Sequence, residues 1–270
     1  MQYGLIGGKL GHSLSPAIHK LFFAYTGLKG DYQLLETSAE DLPSLLKNMA
    51  KDYKGCNVTI PHKVNVMPLL DKISEQALAI GAVNTIYFNK GKLEGHNTDY
   101  FGFARMLAFN GIDAAGKTAV VLGSGGAARA VVKYFADIKV GKLYLTTRNP
   151  GKVDEYFYKI APDVQVIDYQ QLEAVSGEVL VNCTPAGMYP DIEDCPVKPE
   201  IIGSFNSAVD LIYNPSETLF LKEASRQGKK AVNGLFMLAA QAVAAQEIWQ
   251  QQEYDSQLIS KIMTELEQSL

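Results

Sequence analysis

The sequence lacks the long apolar runs of membrane proteins, since no stretch approaches the ~18 residues that a membrane-spanning helix needs. It also lacks excess positive charge, because 25 lysines and arginines against 29 aspartates and glutamates give a net charge of −4. We therefore expect neither nucleic acid nor a membrane surface as a partner. Residues 1–7 lack the basic segment and long apolar stretch of a secretory signal, which predicts a cytoplasmic protein.

Cysteine and histidine are scarce, and neither type recurs at the spacing of metal ligands. The three cysteines, Cys56, Cys183 and Cys195, are scattered and odd in number, as expected in a reducing compartment. The histidines are His12, His19, His62 and His96. None of them forms a zinc-like pattern with another, so we predict that the protein holds no metal.

The most informative segment is a glycine-rich turn between a predicted strand and a predicted helix. Residues 118–122 are apolar and rich in β-branched side chains, and residues 129–136 follow a helical pattern. Between them, the pattern G-x-G-x-x-A runs from Gly123 to Ala128. The glycines permit a tight turn and close approach of backbone N–H groups to a pyrophosphate, and the alanine allows close helix packing. Because the helix N-terminus adds unpaired donors, the segment predicts a dinucleotide site.

The end of the next predicted strand, residues 142–147, indicates which dinucleotide binds. An NAD site usually has an Asp or Glu there to accept from the ribose 2′-hydroxyl. Here Arg148 follows the strand and Lys152 lies four residues later, with no acidic residue between them. A guanidinium suits a 2′-phosphate, so the sequence predicts NADP(H). The alternative is a glycine turn in an unrelated α/β protein, with Arg148 a solvated surface residue.

Strand and helix patterns alternate along the 270 residues, which predicts two α/β domains around a cleft. We expect residues 1–100 to form a substrate-binding and catalytic domain with a mostly parallel sheet. Residues 101–234 are expected to form a Rossmann-like NADP-binding domain, and residues 235–270 to form helices that return to the first domain. Near the start of the chain, Ser15 and Pro16 predict the N-cap and first residue of a helix that ends at Gly27.

A lysine and an aspartate outside the glycine-rich region could handle a proton during hydride transfer to a ketone. Asn57 and Thr59 share one face of a predicted strand, and Lys63 follows its end, where α/β proteins place ligands. Lys63 would donate a proton to the substrate oxygen, and Asp99 would orient the lysine and balance its charge. From the pattern alone, the favoured interpretation is a solvated lysine and an aspartate that favours a helix start.

Two further segments have polar residues suited to a ligand. Ser13 and Ser15 offer hydroxyls at a helix start, where a carboxylate can bind, although an ordinary N-cap also explains them. Gln241 lies in an alanine-rich helical run, where a buried amide needs a polar partner. Packing against backbone would satisfy the glutamine as well.

Together these segments resemble the shikimate dehydrogenase family over nearly the whole chain. The matching segments, in the family's order, are residues 13–16, 55–63, 81–85, 95–99, 123–127, 182–188, 210–215 and 234–241. The resemblance implies an NADP-dependent oxidoreductase that reversibly converts 3-dehydroshikimate into shikimate, in chorismate and aromatic amino-acid biosynthesis. It does not fix the oligomeric state, and we expect a monomer or a homodimer.

The resemblance also implies roles for individual residues by their position in the motifs. Lys63 and Asp99 would be the catalytic pair. The implied substrate shell is Ser13, Ser15, Asn57, Thr59, Asn84, Tyr213 and Gln241. The residues implied around NADP(H) are Gly123, Ser124, Gly125, Gly126, Ala127, Thr147, Arg148, Lys152, Leu211 and Gly234.

The chain departs from the family's usual pattern at a few positions. Lys9 stands where proline is usual, His62 stands where phenylalanine is common, and Thr147 precedes Arg148 where asparagine is common. Two alternative functions stay open at this point. One is a quinate/shikimate dehydrogenase that uses NAD, and the other is a module that senses NADP(H) without turnover.

Overall fold

The computed structural model describes residues 1–11 and 13–269, so His12 lies outside the described residues. The described chain divides into two compact units. Unit 1 comprises Met1–Gly102 and the chain from Ala239 onwards, and unit 2 comprises Phe103–Leu238. Both boundaries fall within helices, α5 (Asp99–Phe109) and α11 (Leu235–Gln250). The predicted class, α/β with two domains and mostly parallel sheets, is confirmed.

Unit 1 is built on a mixed sheet in which parallel pairs predominate. Its strands are β1 (Gln2–Gly7), β2 (Asp31–Glu36), β3 (Tyr53–Val58), β4 (Lys72–Ile73), β5 (Thr85–Asn89) and β6 (Lys92–His96). They lie in the order β2-β1-β3-β5-β6-β4, with β5 antiparallel to both of its neighbours. Lys90 and Gly91, with φ of 50° and 81°, join β5 to β6 in a two-residue turn.

The helices of unit 1 include those that carry the predicted substrate-binding segments. Besides α5 and α11, they are α1 (Ser15–Thr26), α2 (Leu42–Met49), α3 (His62–Asn65), α4 (Glu75–Ile80) and α12 (Ser256–Ser269). The predicted N-cap of α1 is wrong by one residue, because Leu14 is the cap and Ser15 is already helical. Ser13 Oγ accepts from the Ser15 N–H at 3.2 Å, so a serine acts at this start from just before the cap. Gly27 ends the helix with φ 71°, as predicted.

The last third of α11 packs on the sheet of unit 1 through Trp249, which is fully buried. Its indole Nε1 donates to the Ile86 carbonyl on β5 at 2.9 Å, and its ring stacks on Tyr3 of β1 at 5.0 Å. Gly55 on β3 leaves the space that the indole fills, since a Cβ built there would lie 2.1 Å from Nε1. The aromatic ring therefore joins three strands to one helix.

A methyl group at Gly55 is expected to destabilise unit 1. The Gly55→Ala variant should lower the free energy of unfolding by about 1–3 kcal/mol, because the rigid indole must shift to make room. Thermal and urea unfolding of both proteins measure the difference. Gly151→Ala is the matched control, since a Cβ there meets nothing within 4 Å. Equal losses in the two variants would contradict the packing explanation.

Unit 2 is built on a wholly parallel sheet. Its strands are β7 (Thr118–Leu122), β8 (Lys142–Thr146), β9 (Gln165–Ile167), β10 (Gly177–Asn182), β11 (Phe205–Asp210) and β12 (Lys230–Val232). Its remaining helices are α6 (Gly126–Asp137), α7 (Tyr156–Ile160), α8 (Tyr169–Leu172), α9 (Pro199–Gly203) and α10 (Leu219–Arg226). The strand order is β9-β8-β7-β10-β11-β12, which is the dinucleotide-binding order 3-2-1-4-5-6. Such sheets bind ligands where the order reverses, here beyond the carboxyl ends of β7 and β10.

Across the described residues, none of the helices is long and apolar enough to cross a membrane.

Candidate active site

The structure brings Lys63 and Asp99 together in unit 1 although 36 positions separate them in the sequence. Lys63 lies on α3, just beyond β3, and Asp99 is the first residue of α5. Lys63 Nζ donates to Asp99 Oδ2 at 2.6 Å, and the two side chains are 17% and 11% exposed. The start of α5 also favours a negative charge. Because an ammonium has three donors, Lys63 can bond to Asp99 and still present an N–H to a substrate oxygen.

Asn84 fixes the other oxygen of the same carboxylate. Its Nδ2 donates to Asp99 Oδ1 at 2.9 Å, and its Oδ1 accepts from the backbone N–H of Thr98 at 2.7 Å. Thr98 Oγ1 in turn donates to Gln241 Oε1 at 3.3 Å. The predicted residues Lys63, Asn84, Asp99 and Gln241 therefore belong to one hydrogen-bonded cluster.

The remaining residues implied as substrate contacts have different surroundings. Thr59 is half-buried just after β3, and Ser13 and Ser15 lie at the start of α1. Asn57 is buried, and its Nδ2 already donates to the Asn84 carbonyl at 3.3 Å and to a threonine hydroxyl at 3.0 Å. Tyr213 follows β11 in unit 2, where burial raises the pKa of its phenol.

His62, the residue before Lys63, holds the start of α3 to the chain that follows β2. Its ring is fully buried, and Nε2 lies 3.0 Å from the carbonyl oxygen of Thr37. A histidine at this position therefore makes a tertiary hydrogen bond that a phenylalanine could not make.

The glycine-rich turn in unit 2 has the geometry that its motif predicts. Gly123 follows β7 with φ 90°, and a Cβ there would lie 2.8 Å from Thr184 Cγ2. Gly125 is the N-cap of α6, and a Cβ there would meet nothing within 4 Å. The turn therefore packs against the protein at Gly123 and faces open space at Gly125, which is its open side. The first N–H groups of α6 are available for a pyrophosphate at this open side.

The segment after β8 carries the two cations that the sequence predicts for binding the 2′-phosphate of NADP(H). Arg148 and Lys152 are both exposed, with Lys152 at the end of a 3-10 turn, Pro150–Lys152. Beyond it, Asp154 forms an ion pair with Arg129 of α6 at 2.5 Å. The Arg129 guanidinium also lies over the Tyr156 ring, 5.0 Å from its centroid. These two contacts of Arg129 hold the segment after β8 to the first turns of α6.

Two further predicted cofactor residues lie in contact at the ends of β11 and β12. A Cβ at Gly234 would lie 2.2 Å from the Leu211 carbonyl oxygen, so only glycine permits this close approach. The Gly234 N–H donates to the Ile212 carbonyl at 2.9 Å. The residues of unit 2 therefore fit NADP, with a glycine turn for the pyrophosphate and a guanidinium and an ammonium for the 2′-phosphate.

A buried carboxylate that sequence reasoning missed, Asp210, lies at the end of β11. It accepts from Asn182 Nδ2 at 3.0 Å, from the Ile212 N–H at 3.0 Å and from Thr218 Oγ1 at 2.7 Å. Burial nevertheless raises the pKa of its carboxyl from 3.8 to about 6, against these hydrogen bonds. Asp210 ties the loops after β10 and β11 together next to the predicted contacts Leu211 and Tyr213.

Replacing Asp210 with asparagine is expected to change how stability depends on pH. The Asp210 carboxyl has a higher pKa in the folded protein than in the unfolded chain, so the folded protein binds the Asp210 proton more tightly. The stabilisation that this proton gives the wild-type fold is therefore complete below about pH 4 and is lost as pH rises through about 6. The free energy of unfolding of Asp210→Asn minus that of the wild type should therefore rise by about 2 kcal/mol between these limits. Urea titrations across the pH range measure this difference.

Asp163→Asn, a change at an exposed aspartate of the same unit, is the control for the pH series. Its stability curve should run parallel to that of the wild type. A flat difference for Asp210→Asn would show that Asp210 titrates alike in the folded and unfolded chain, against the expectation.

No group of three or more metal-ligating side chains lies together within residues 1–11 and 13–269.

Sequence comparisons connect this geometry with known proteins. Residues 5–86 match the family model described as the shikimate dehydrogenase substrate binding domain. The chain is 45% identical over 261 residues to the shikimate dehydrogenase (NADP(+)) of Clostridium beijerinckii, which is 95% of this chain and 94% of that protein. The similarity therefore extends through both units.

Solved structures with the same fold cover almost the whole chain as well. A chorismate mutase/shikimate 5-dehydrogenase fusion protein from Clostridium acetobutylicum matches with TM-score 0.94 and 48% identity, covering 99% of this chain and 97% of that one. Shikimate 5-dehydrogenase from Thermus thermophilus, solved in complex with NADP(H) and shikimate, matches with TM-score 0.89 and 32% identity. That match covers 98% of this chain and 99% of the other.

Proposed function

The chain belongs to the shikimate dehydrogenase family, and on that basis we propose that it reversibly reduces 3-dehydroshikimate to shikimate with NADPH. The resemblance predicted from the sequence segments is thereby confirmed. The observation that carries the chemistry is the contact of Lys63 Nζ with Asp99 Oδ2 at 2.6 Å. The reaction lies in the biosynthesis of chorismate and the aromatic amino acids.

Unit 2 is the proposed cofactor domain. NADPH, when bound, supplies the hydride that adds to the carbonyl carbon. The glycine turn and the start of α6 would hold the pyrophosphate, and Arg148 and Lys152 would hold the 2′-phosphate. The further proposed contacts are Ser124, Gly126, Ala127, Thr147, Leu211 and Gly234.

Lys63 is the proposed proton donor. As the carbonyl oxygen gains negative charge, Lys63 Nζ gives it a proton, and in the reverse reaction the neutral amine takes the proton of the hydroxyl. Asp99 balances the charge of the ammonium and directs it, because Oδ2 accepts from Nζ while Asn84 holds Oδ1. The same ammonium stabilises the developing alkoxide before the proton moves.

Unit 1, including the residues from Ala239 onwards, is the proposed substrate domain. The substrate carboxylate suits the hydroxyls and backbone N–H groups of Ser13 and Ser15. Its hydroxyls suit Thr59, Asn84 and Gln241, and the family resemblance also implies Tyr213 as a substrate contact. A site made of such polar groups discriminates strongly against analogues that lack a hydroxyl.

The proposed partners are the small-molecule substrate and the cofactor. We place the enzyme in the cytoplasm, where NADPH is available and free thiols such as Cys56 and Cys183 persist. A monomer or a homodimer would perform the reaction, and light scattering of the purified protein distinguishes the two.

One assay tests the proposed function directly. Purified protein is mixed with shikimate and either NADP⁺ or NAD⁺, and the absorbance of the reduced nicotinamide is followed. The proposal expects turnover with NADP⁺ at a higher kcat/KM than with NAD⁺, and a higher kcat/KM for shikimate than for quinate. No turnover with either cofactor would leave an NADP(H)-sensing module, and a preference for quinate with NAD⁺ would favour the quinate enzyme.

A further inference from the structure

A line of buried hydrogen bonds in unit 1 leads from Asp99 to a tyrosine that no motif singles out. The Tyr32 hydroxyl on β2 donates to Asn57 Oδ1 at 2.8 Å. Asn57 Nδ2 donates to Thr85 Oγ1 at 3.0 Å, and Thr85 Oγ1 donates to Asn84 Oδ1 at 3.0 Å. Asn84 Nδ2 then donates to Asp99 Oδ1 at 2.9 Å. We call these bonds the Tyr32 line.

Two backbone groups fix the direction of the Tyr32 line. The Thr98 N–H donates to Asn84 Oδ1 at 2.7 Å, so the Asn84 amide turns its nitrogen to Asp99. The Asn84 carbonyl accepts from Asn57 Nδ2 at 3.3 Å, so the Asn57 amide turns its oxygen to Tyr32. A half-turn of either amide would bring two donors or two acceptors together. Every donor therefore points towards Asp99, and the line ends on a group that only accepts when it is ionised.

Burial makes each bond of the Tyr32 line costly to lose. Tyr32 is 8% exposed, Asn57 5%, Asn84 3% and Thr85 0%. A buried polar atom without a partner costs more than the bond itself contributes, and neighbouring bonds in such a network reinforce one another. A change at Tyr32 is therefore transmitted along the line, since Asn57 Oδ1 loses the donor that the phenol supplies.

The surroundings of Tyr32 keep its hydroxyl a donor. Burial raises the pKa of the phenol well above its usual 10. The buried His19 ring stacks on the phenol, with centroids 4.0 Å apart and 12° between the planes. Burial lowers the pKa of His19 to about 3, so an uncharged ring packs there. The ionisable groups that face the line are therefore His19 and Cys56 beside Tyr32, and Lys63 at Asp99.

We propose that Tyr32 and Thr85 are positioning residues that hold Asn57 and Asn84 in the one orientation that presents the Asp99 carboxylate to Lys63. The kinetic consequence rests on the proposed function, but the arrangement itself does not. Asn57 was implied above as a substrate contact. Its amide oxygen and nitrogen already form hydrogen bonds within the Tyr32 line, so it acts on the substrate through Asn84 and Asp99.

The kinetic test removes one hydroxyl at a time. Tyr32→Phe is expected to lower kcat by about 2- to 10-fold, the value of one hydrogen bond, with the KM for NADPH unchanged. Thr85→Val should act similarly, whereas Thr85→Ser, which keeps the hydroxyl, should retain wild-type kcat. The Tyr32→Phe, Thr85→Val double variant should lose little more than one single variant, because the two residues act in one line.

Tyr53→Phe is the matched control, since its hydroxyl donates to Gln33 Oε1 at 2.8 Å on the same sheet but outside the line. The NMR signals of the Asn84 side-chain amide give a readout that needs no turnover. They should shift in Tyr32→Phe and Thr85→Val and stay in place in Tyr53→Phe. Unmoved signals with wild-type kcat in Tyr32→Phe, with or without a lower Tm, would overturn the proposal. If the wild type lacks activity, the proposed function fails while the spectra still decide the positioning role.

Discussion

Replacing Lys63 with alanine is expected to lower kcat for 3-dehydroshikimate reduction by about 10²–10⁴-fold, the usual loss when a positioned proton donor is removed. The ammonium contacts Asp99 at 2.6 Å, and alanine leaves that carboxylate without its cation and the substrate oxygen without a donor. Steady-state kinetics with saturating NADPH measure the effect. The KM for NADPH should change little, because the proposed cofactor residues lie in unit 2.

Lys54→Ala is the matched control for this prediction. Lys54 is another lysine of unit 1 whose Nζ donates to a side chain outside the proposed site, Gln250 Oε1, at 2.8 Å. Its replacement should leave kcat within a small factor of the wild type. Near-normal kcat in Lys63→Ala would show that another group supplies the proton.

Replacing Arg148 with alanine is expected to weaken the preference for NADPH over NADH by about 10- to 150-fold. This range corresponds to the ~1.5–3 kcal/mol that a hydrogen bond to a charged group contributes. The measurement is the ratio of kcat/KM for the two cofactors, with 3-dehydroshikimate saturating. The loss should fall on NADPH alone, because NADH has no 2′-phosphate to bind.

Arg226→Ala separates this effect from a general loss of positive charge in unit 2. Arg226 is 71% exposed and pairs with Glu223 on α10, away from the basic segment after β8. The ratio of kcat/KM for NADPH to that for NADH should stay at the wild-type value in this variant. An unchanged ratio in Arg148→Ala would place 2′-phosphate recognition on other residues, with Lys152 the first to examine.

The parts of the molecule that the sequence predicts well are those whose cause is local. The turn from Gly123 to Ala128 needs only its own backbone freedom and the flanking strand and helix, so the motif is sufficient. Gly27 ends α1 for the same kind of reason. At the other end of that helix, Ser13 Oγ accepts from the Ser15 N–H, and Ser15 is already helical, so the cap lies one residue before the predicted position.

The parts that the sequence leaves open depend on distant contacts. Pattern alone could not bring Lys63 to Asp99, because the pairing of β3, β5 and β6 decides which loops meet. The residue pattern suggested that pair without deciding it against a solvated lysine, and the family resemblance then implied it. Thr85 and Thr98 lie directly beside predicted site residues, which is a signal that could have found them. Tyr32 has no such signal, since only the sheet order puts β2 within reach of Asn57.

The burial of Trp249 against Gly55 and Ile86 has a consequence for synthesis on the ribosome. The strands of unit 1 emerge first, but the part of α11 that covers them, from Ala239 onwards, is made after the whole of unit 2. Unit 2 is continuous in the chain, so it can fold while the unit 1 strands still have an uncovered apolar face. Packing of α11 on that face is a late, long-range step. The nascent chain is most prone to aggregation before this step occurs.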